Sequence, residues 1–321
     1  MDAIYGKDGV NRIIKSTGVG LGNFDGLHVG HMALINTLIS ESRLSGLDSV
    51  VYTFTKHSEN IIRKRLFTPL LTTVEKKIEL LGETRLNYMY FDEFDEVFSR
   101  MKPEDFIKKV LVDRLGMKLA VAGFDYSFGY RGEGDTNLLK ALGRKFDFRV
   151  IIIPPIKINE EVVSSTLIRQ NVSKGNMEKV FNLLGRHYSI TGKVSSGRRI
   201  GNTLGFPTAN IHPADYLILP SYGVYATKTC IDGKLLNSVT NVGINPTFEG
   251  LDKASIETHI LDFDENLYDK FIEVFFIVKI RGEKKFQGRD ELVAQITKDV
   301  AKTRQILGLK TQGKTDGNLY L

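Results

Sequence analysis

Two histidines three residues apart, His28 and His31, stand in the run Gly22-Asn23-Phe24-Asp25-Gly26-Leu27-His28-Val29-Gly30-His31. The run lies between an apolar stretch, Val19 to Phe24, and a segment with Leu34, Ile35, Leu38 and Ile39 on one stripe. A strand followed by an amphipathic helix is the reading. Imidazoles at that junction suit an anion, because free backbone N–H groups and the positive end of the helix dipole already favour negative charge there. Glycines at 26 and 30 allow a tight turn and let a nucleotide lie against bare backbone. Such a pair also fits a metal site or a plain surface, but a carboxylate partner and a third ligand at metal spacing are missing.

Three further groups carry polar chemistry. Gly123-Phe124-Asp125-Tyr126-Ser127-Phe128-Gly129, followed by Tyr130-Arg131-Gly132-Glu133-Gly134-Asp135, is a glycine-rich loop able to close over a nucleotide, though such loops are often surface turns. Ser164-Ser165-Thr166-Leu167-Ile168-Arg169 puts hydroxyls at a helix N-terminus and an arginine in its first turns. Alone it is a serine N-cap; beside the histidine run it reads as a second phosphate clamp made by Ser164, Thr166 and Arg169. The third group runs from Gly197 to Asn210 (GRRIGNTLGFPTAN). Gly197, Gly201 and Gly205, with Arg198, suit a flap around phosphates. Pro207 fixes the backbone before Thr208 and Asn210, whose side-chain oxygens can hold a hard cation such as Mg²⁺. No GKS or GKT follows, so this is not a Walker A loop; without other knowledge it is an anion site or simply a long loop and turn.

The elements that must position these residues change character along the chain. Up to about residue 185, apolar strands alternate with helices: Ser49 to Phe54, Asn87 to Phe91, Lys118 to Ala122 and Phe148 to Ile153 are strands. Thr72-Thr73-Val74-Glu75 reads as a capping box opening one helix; Pro103 opens another with Phe106, Ile107, Val110, Leu111 and Leu115 on its apolar face; a third starts near Thr136. That alternation predicts an α/β domain, a parallel sheet with helices on both faces and ligands at the carboxyl ends of the strands. A short helix, Asn176 to Leu184, closes it at Gly185. Beyond residue 186 come short β-branched stretches, Tyr188 to Val194, Gly223 to Cys230, Ser238 to Val242, Ile256 to Phe263 and Lys270 to Ile280, with turns such as Asp232-Gly233. These predict an antiparallel barrel, closed by a helix over Arg289 to Leu307. The expected division is 1–185 and 186–321.

Composition narrows the class. With 321 residues, two domains are expected. The single cysteine, Cys230, allows no internal disulfide and points to a reducing cytoplasm. No signal-like apolar segment opens the chain, and the apolar run around Phe271 to Ile280 is too short to span a bilayer, so no membrane partner is expected. A net charge of +6 comes from dispersed lysines and arginines, only Arg63-Lys64-Arg65 being clustered. Nucleotide substrates account for that excess without nucleic acid. The sequence sets no oligomeric state.

The histidine run resembles the GxFDGxHxGH signature of the nucleotidylyltransferase superfamily. Together with GFDYSFG and VSSTLIR, in this order and spacing, it is similar to the N-terminal half of the bacterial bifunctional FAD synthetases. GFPTAN resembles the signature of riboflavin kinases, and Ile256-Glu257-Thr258-His259 their segment bearing the catalytic glutamate. The likeness covers Thr17 to Leu307. It implies a Rossmann-like FMN adenylyltransferase domain followed by a β-barrel riboflavin kinase, converting riboflavin and ATP to FMN and then FMN and ATP to FAD, with Mg²⁺. His28 and His31 would contact the triphosphate, with Gly22, Phe24, Asp25, Gly30 and Asp125 around the nucleotide. Glu257 would take the proton of the ribityl hydroxyl, and Thr208 and Asn210 would bind Mg²⁺. On residues alone, Glu257 reads as a solvated strand carboxylate. The chain departs from the family at Thr55-Lys56-His57-Ser58, where the usual aspartate and prolines are lost, and at Arg131, which precedes Gly132 instead of following a glycine. Two other readings remain: a kinase without adenylyl transfer, and a nucleotide- or RNA-binding regulator supported only by charge.

Overall fold

A computed structural model of the chain describes residues 1–6, 16–55, 68–195, 204–246 and 252–311, in two compact units, Met1–Ser165 and Thr166–Leu321. In the first unit β1 (Asp2–Tyr5), β2 (Thr17–Leu21), β3 (Asp48–Phe54), β4 (Tyr88–Asp92), β5 (Met117–Gly123) and β6 (Arg149–Ile153) form one sheet in the order β1-β4-β3-β2-β5-β6. Every pair in it is parallel. The sequence reading missed β1, which has four residues and pairs with a strand more than eighty residues away.

Parallel strands need cover on both faces. On one face α1 (Val29–Leu44) and α2 (Val74–Gly82) bring Leu34, Ile35, Leu38 and Leu81 onto Val51, Met89, Phe91, Leu119 and Val121. On the other, Phe106, Ile107, Val110 and Leu111, with Leu139 and Leu142 of a later helix, meet Val19, Val50, Tyr52, Tyr90 and Ala120. The segment expected as one α-helix from Pro103 is a single α-turn, α3 (Pro103–Asp105), running into a π-helix over Phe106–Val112. The apolar spacing is the same in outline, so the pattern alone does not separate the two. The later helix is α4 (Thr136–Phe146), capped by the Asp135 side chain. A two-stranded ribbon, β7 (Lys157–Ile158) and β8 (Glu161–Val162), leads to α5 (Ser165–Lys174).

Strand β2 is stripped of side chains where α1 crosses it. A Cβ on Gly20 would lie 2.9 Å from Leu38 Cδ2, and one on Gly18 only 2.1 Å from Ser42 Oγ. This close approach seats the middle and C-terminal half of α1 directly on the central strand. Gly18→Ala is therefore expected to destabilise by about 1–3 kcal/mol through overpacking, and Ser42→Ala, which removes the colliding oxygen, should recover most of it. Urea midpoints of the two single variants and the double variant check this. An unaffected Gly18→Ala would mean that the helix does not press on the strand.

In the second unit, α6 (Met177–Leu184) ends on Gly185 in the left-handed region and packs against the first and last strands of the barrel. Strands β9 (Tyr188–Ser195), β10 (Ala209–Ile211), β11 (Gly223–Ile231), β12 (Lys234–Pro246), β13 (Asp252–Ile260) and β14 (Phe271–Arg281) close in the order β10-β13-β12-β11-β14-β9, all antiparallel. The β11–β12 connection is the expected Asp232-Gly233 turn, both residues having positive φ. Strand β10 was read as part of a turn; Pro207 hides it, because the three residues that pair come directly after that turn. The interior holds Ile190, Ile211, Tyr225, Val242, Ile256 and Phe276, all buried. It also holds a ladder of buried hydroxyls in which Thr227 meets Ser238 and Thr240, and Thr240 meets Thr258 at 2.9 Å. Helix α7 (Arg289–Thr311) closes the unit through Val300, packed on Val224, Val239 and Leu261. The Arg281 Nε–H donates to the buried Asp299 carboxylate at 3.0 Å and anchors that helix to the end of β14.

Candidate active sites

The strand order reverses between β2 and β5, so the loops leaving their carboxyl ends border the crevice where such sheets take ligands. Those loops are the histidine run and the segment from Phe124. Strand β2 stops at Leu21, and the chain then takes positive φ at Phe24, Gly26 and Leu27. Left-handed conformations at Phe24 and Leu27 cost about 1–3 kcal/mol each unless the surroundings impose them. Here both side chains are fully buried. Gly22 gives Phe24 room, since a Cβ there would lie 3.2 Å from the ring.

His28 is the N-cap of α1: its Nδ1 accepts the His31 backbone N–H at 3.2 Å. A neutral His28 therefore carries its proton on Nε2. The His31 ring stacks on it, centroids 3.6 Å apart. Gly30 makes the stack possible, since a Cβ at that position would press on the His28 ring at 3.2 Å. The first turn of α1 holds no acidic residue, leaving its positive end uncompensated.

Phe24 and Asp25, expected beside the nucleotide, support the loop from beneath. The Asp25 carboxylate is buried and accepts the N–H groups of Leu71 at 2.9 Å and Thr72 at 3.2 Å. Thr72 Oγ1 in turn accepts the Gly26 N–H at 3.1 Å. The expected capping box thus shifts by one: Thr73 caps α2 by accepting the Lys76 N–H, while Thr72 faces the histidine loop. Lys77, which the sequence reading passed over, is buried below the same loop and donates from Nζ to the Asn23 carbonyl at 3.1 Å. Burial pulls its ammonium below the ordinary lysine range, and the Asp25 charge opposes the shift. A buried lysine inside an amphipathic helix has no sequence signal apart from its position on the apolar stripe.

Ser165, at the start of α5, donates from its hydroxyl to the Asp25 carbonyl at 2.9 Å. Ser164 precedes it half-buried; Thr166 is exposed in the first turn of that helix and Arg169 half-buried further along. Asp125 is exposed just past the end of β5. The glycine-rich loop after it is folded on itself: Phe128 and Gly134 exchange backbone hydrogen bonds of 3.0 and 2.9 Å, and Gly129 sits so close to Pro103 that a Cβ would meet its backbone at 2.7 Å. Arg131 lies at the tip with its guanidinium over the Tyr130 ring. Phe54, at the end of β3, has Phe94 and Phe98 at ring distances of 5.1 and 5.4 Å.

In the second unit the register carries the geometry. Asn210 on β10 pairs with Glu257 on β13, and Glu257 pairs with Asn241 on β12. The neighbouring pair Thr240–Thr258 is inside the barrel, so the row Asn210, Glu257, Asn241 is outside. A slip of one residue would turn Glu257 inward, and the hydroxyl ladder resists that slip. His259, two residues along, donates from Nδ1 to the Pro207 carbonyl at 2.8 Å, which a carbonyl acceptor requires, and holds the turn carrying Thr208. Asn210 is buried and Thr208 half-buried. Gly205 is exposed with φ +82°. Gly197, Arg198 and Gly201 lie outside the described residues, as do Lys56, His57, Ser58 and Arg63-Lys64-Arg65. Among the described residues no three His, Cys, Asp or Glu side chains cluster to hold a metal ion.

Comparison with known proteins settles the kinship. A protein of Buchnera aphidicola subsp. Schizaphis graminum named bifunctional riboflavin kinase/FMN adenylyltransferase is 33% identical over 312 residues, 96% of this chain and 100% of that one. The chain belongs to this bifunctional family. A second member, from Listeria monocytogenes, is 37% identical over 88% of this chain and 90% of its own. The FAD synthetase family model matches residues 11–167, spanning the histidine run, and the riboflavin kinase model matches residues 184–307, spanning GFPTAN and Glu257. A crystal structure from Streptococcus pneumoniae described as a macrolide-efflux protein is 30% identical with a TM-score of 0.86, over 95% of this chain and 99% of that one. Among the described residues, no helix is long and apolar enough to cross a membrane.

One feature of this family member runs against the expected dispersal of charge. Lys118, Lys140, Arg144 and Arg149 gather around an open cleft of about 550 Å³ at the amino ends of β5 and β6. That is the opposite edge of the sheet from the histidine loop.

Proposed function

We propose that the chain makes flavin cofactors in two steps, phosphorylating riboflavin with ATP on the barrel and adenylylating FMN on the Rossmann-like unit. The observation that supports this is a histidine-capped helix at a sheet switch point in the first unit and an outward glutamate flanked by two amides in the second.

In the first step the ribityl 5′-oxygen attacks the γ-phosphorus of ATP, the bond to the β,γ-bridging oxygen breaks, ADP leaves and Glu257 takes the hydroxyl proton. Thr208 and Asn210 offer neutral oxygen donors, which fit a Mg²⁺ ion carried in with the nucleotide phosphates. When bound, that ion supplies charge neutralisation on the phosphates. In the second step an FMN phosphate oxygen attacks the α-phosphorus and pyrophosphate departs, so no protein nucleophile is needed. The His28 Nε2–H, His31 and the N-terminus of α1 stabilise the charge that develops. Ser164 serves the second phosphate clamp, with Gly22, Gly30 and Asp125 at the nucleotide. Gly197, Arg198, Gly201 and Gly205 serve as the kinase flap. Phe54, Phe94 and Phe98 offer an aromatic wall for the flavin at the strand ends. The substrates are small molecules, and a single half-buried cysteine suits work in the cytoplasm. Incubation with riboflavin, Mg²⁺ and ATP, followed by chromatography of the flavins, tests both steps at once; FMN without FAD would leave only the kinase.

For the kinase we place the domain boundary near residue 186. A fragment 186–321 is expected to phosphorylate riboflavin. A fragment 166–321 should do the same and melt higher, because it keeps the buried Val180, Leu183 and Leu184 of α6. A folded 166–321 without kinase activity would refute the division of labour.

A further inference from the structure

We infer that Asn241 is a positioning residue of the kinase reaction, its side-chain amide orienting the Glu257 carboxylate from the side opposite Asn210. This rests on Glu257 being the base. Directly opposed residues on antiparallel strands have Cβ atoms about 4.5–5.5 Å apart, and Glu257 has such a partner on each side, Asn210 on β10 and Asn241 on β12. The two amides therefore bracket the carboxylate in one row on the outer face of the barrel.

The surroundings of Asn241 keep it available. Gly243, the next outward position on β12, is bare, and a Cβ there would lie 3.3 Å from Asn241 Nδ2 and 3.2 Å from Glu283 Oε1. The Asn241 amide thus lies over glycine backbone in a half-buried place, with Glu257 across the strand pair and Glu283 beside Gly243. Between two carboxylates a neutral donor is favoured over an acid. An N–H to a carboxylate is stronger than a neutral hydrogen bond and restricts where its lone pairs point, which is what a base must have settled before the hydroxyl arrives.

The test is a double-mutant cycle on the full chain. Asn241→Leu, close in volume but without polar atoms, is expected to lower the kinase kcat about ten- to a hundredfold, with KM for riboflavin and ATP within about twofold. In a Glu257→Gln background the same substitution should cost less than about twofold, because the group it positions is gone. Asn241→Ser, which keeps a short donor, should recover part of the loss. FMN adenylylation by the same samples reports that the chain is folded. Equal losses in both backgrounds, or a KM rise with kcat unchanged, would overturn the inference. A Glu257→Gln variant that keeps full kinase activity would instead refute the assignment of the base. Should Asn241→Leu fail to fold, Asn241→Ser and Asn241→Asp carry the same cycle, with Asp expected to lose at least as much as Leu.

Discussion

Glu257→Gln should lose roughly 10² to 10⁴ in riboflavin phosphorylation, the usual contribution of a positioned general base, while supplied FMN still becomes FAD. Glutamine keeps the size of the side chain and the outward place on β13, so the register locked by Thr240 and Thr258 is untouched. What it removes is the acceptor for the hydroxyl proton. Isothermal unfolding should move little, since a half-buried residue on the barrel exterior contributes little packing. Rates of the two reactions, measured on one preparation, check the result. A Glu257→Gln enzyme with parental kinase activity would make this carboxylate the solvated strand residue that its sequence context also allows. Equal loss of both activities in a folded protein would mean that the two reactions do not have separate sites.

The helix start at the histidine pair was legible because it is local. His28, Gly30 and His31 lie within one turn of α1, and residue order alone puts an acceptor on His28 next to the His31 N–H. The Asp232-Gly233 turn was legible for the same reason. What could not be read is what depends on pairing between distant segments. Strand β1 needs β4, and the part played by Asn241 exists only because β12 lies against β13 in one register. Asp25 is the instructive case. The resemblance places it beside the nucleotide; that the N–H groups of residues 71 and 72, almost fifty positions away, bond its carboxylate is visible only in the fold. The gathering of Lys118, Lys140, Arg144 and Arg149 is likewise invisible along the chain, because two strands and one helix end contribute to it.

Substitutions at His28 should separate its two roles in opposite directions. Nδ1 caps the helix, and on the proposed reading the Nε2–H is the donor to the phosphates. Asparagine reaches only as far as Nδ1 does, and its oxygen can still accept the His31 N–H; it is also among the best N-caps. His28→Asn is therefore expected to keep the stability of the parent and lose about 10² to 10³ in FAD formation, by analogy with a missing oxyanion donor. His28→Ala should lose the same activity and, in addition, about 0.5–2 kcal/mol of stability with the cap. Glutamine reaches the Nε2 position with an N–H and should retain more activity than asparagine while capping less well. All three variants, given riboflavin, should accumulate FMN, since the barrel row of Asn210, Glu257 and Asn241 is unchanged. Thermal melts and the FMN-to-FAD rate, measured side by side, give the four-way comparison. If His28→Asn were as active as the parent, the donor would have to be His31 or the helix N-terminus alone, and His28 would be only a cap. A chain that lacked adenylyl transfer would show no second activity to lose, and a binding module would turn over neither flavin, so the same measurements also exclude or establish those two readings.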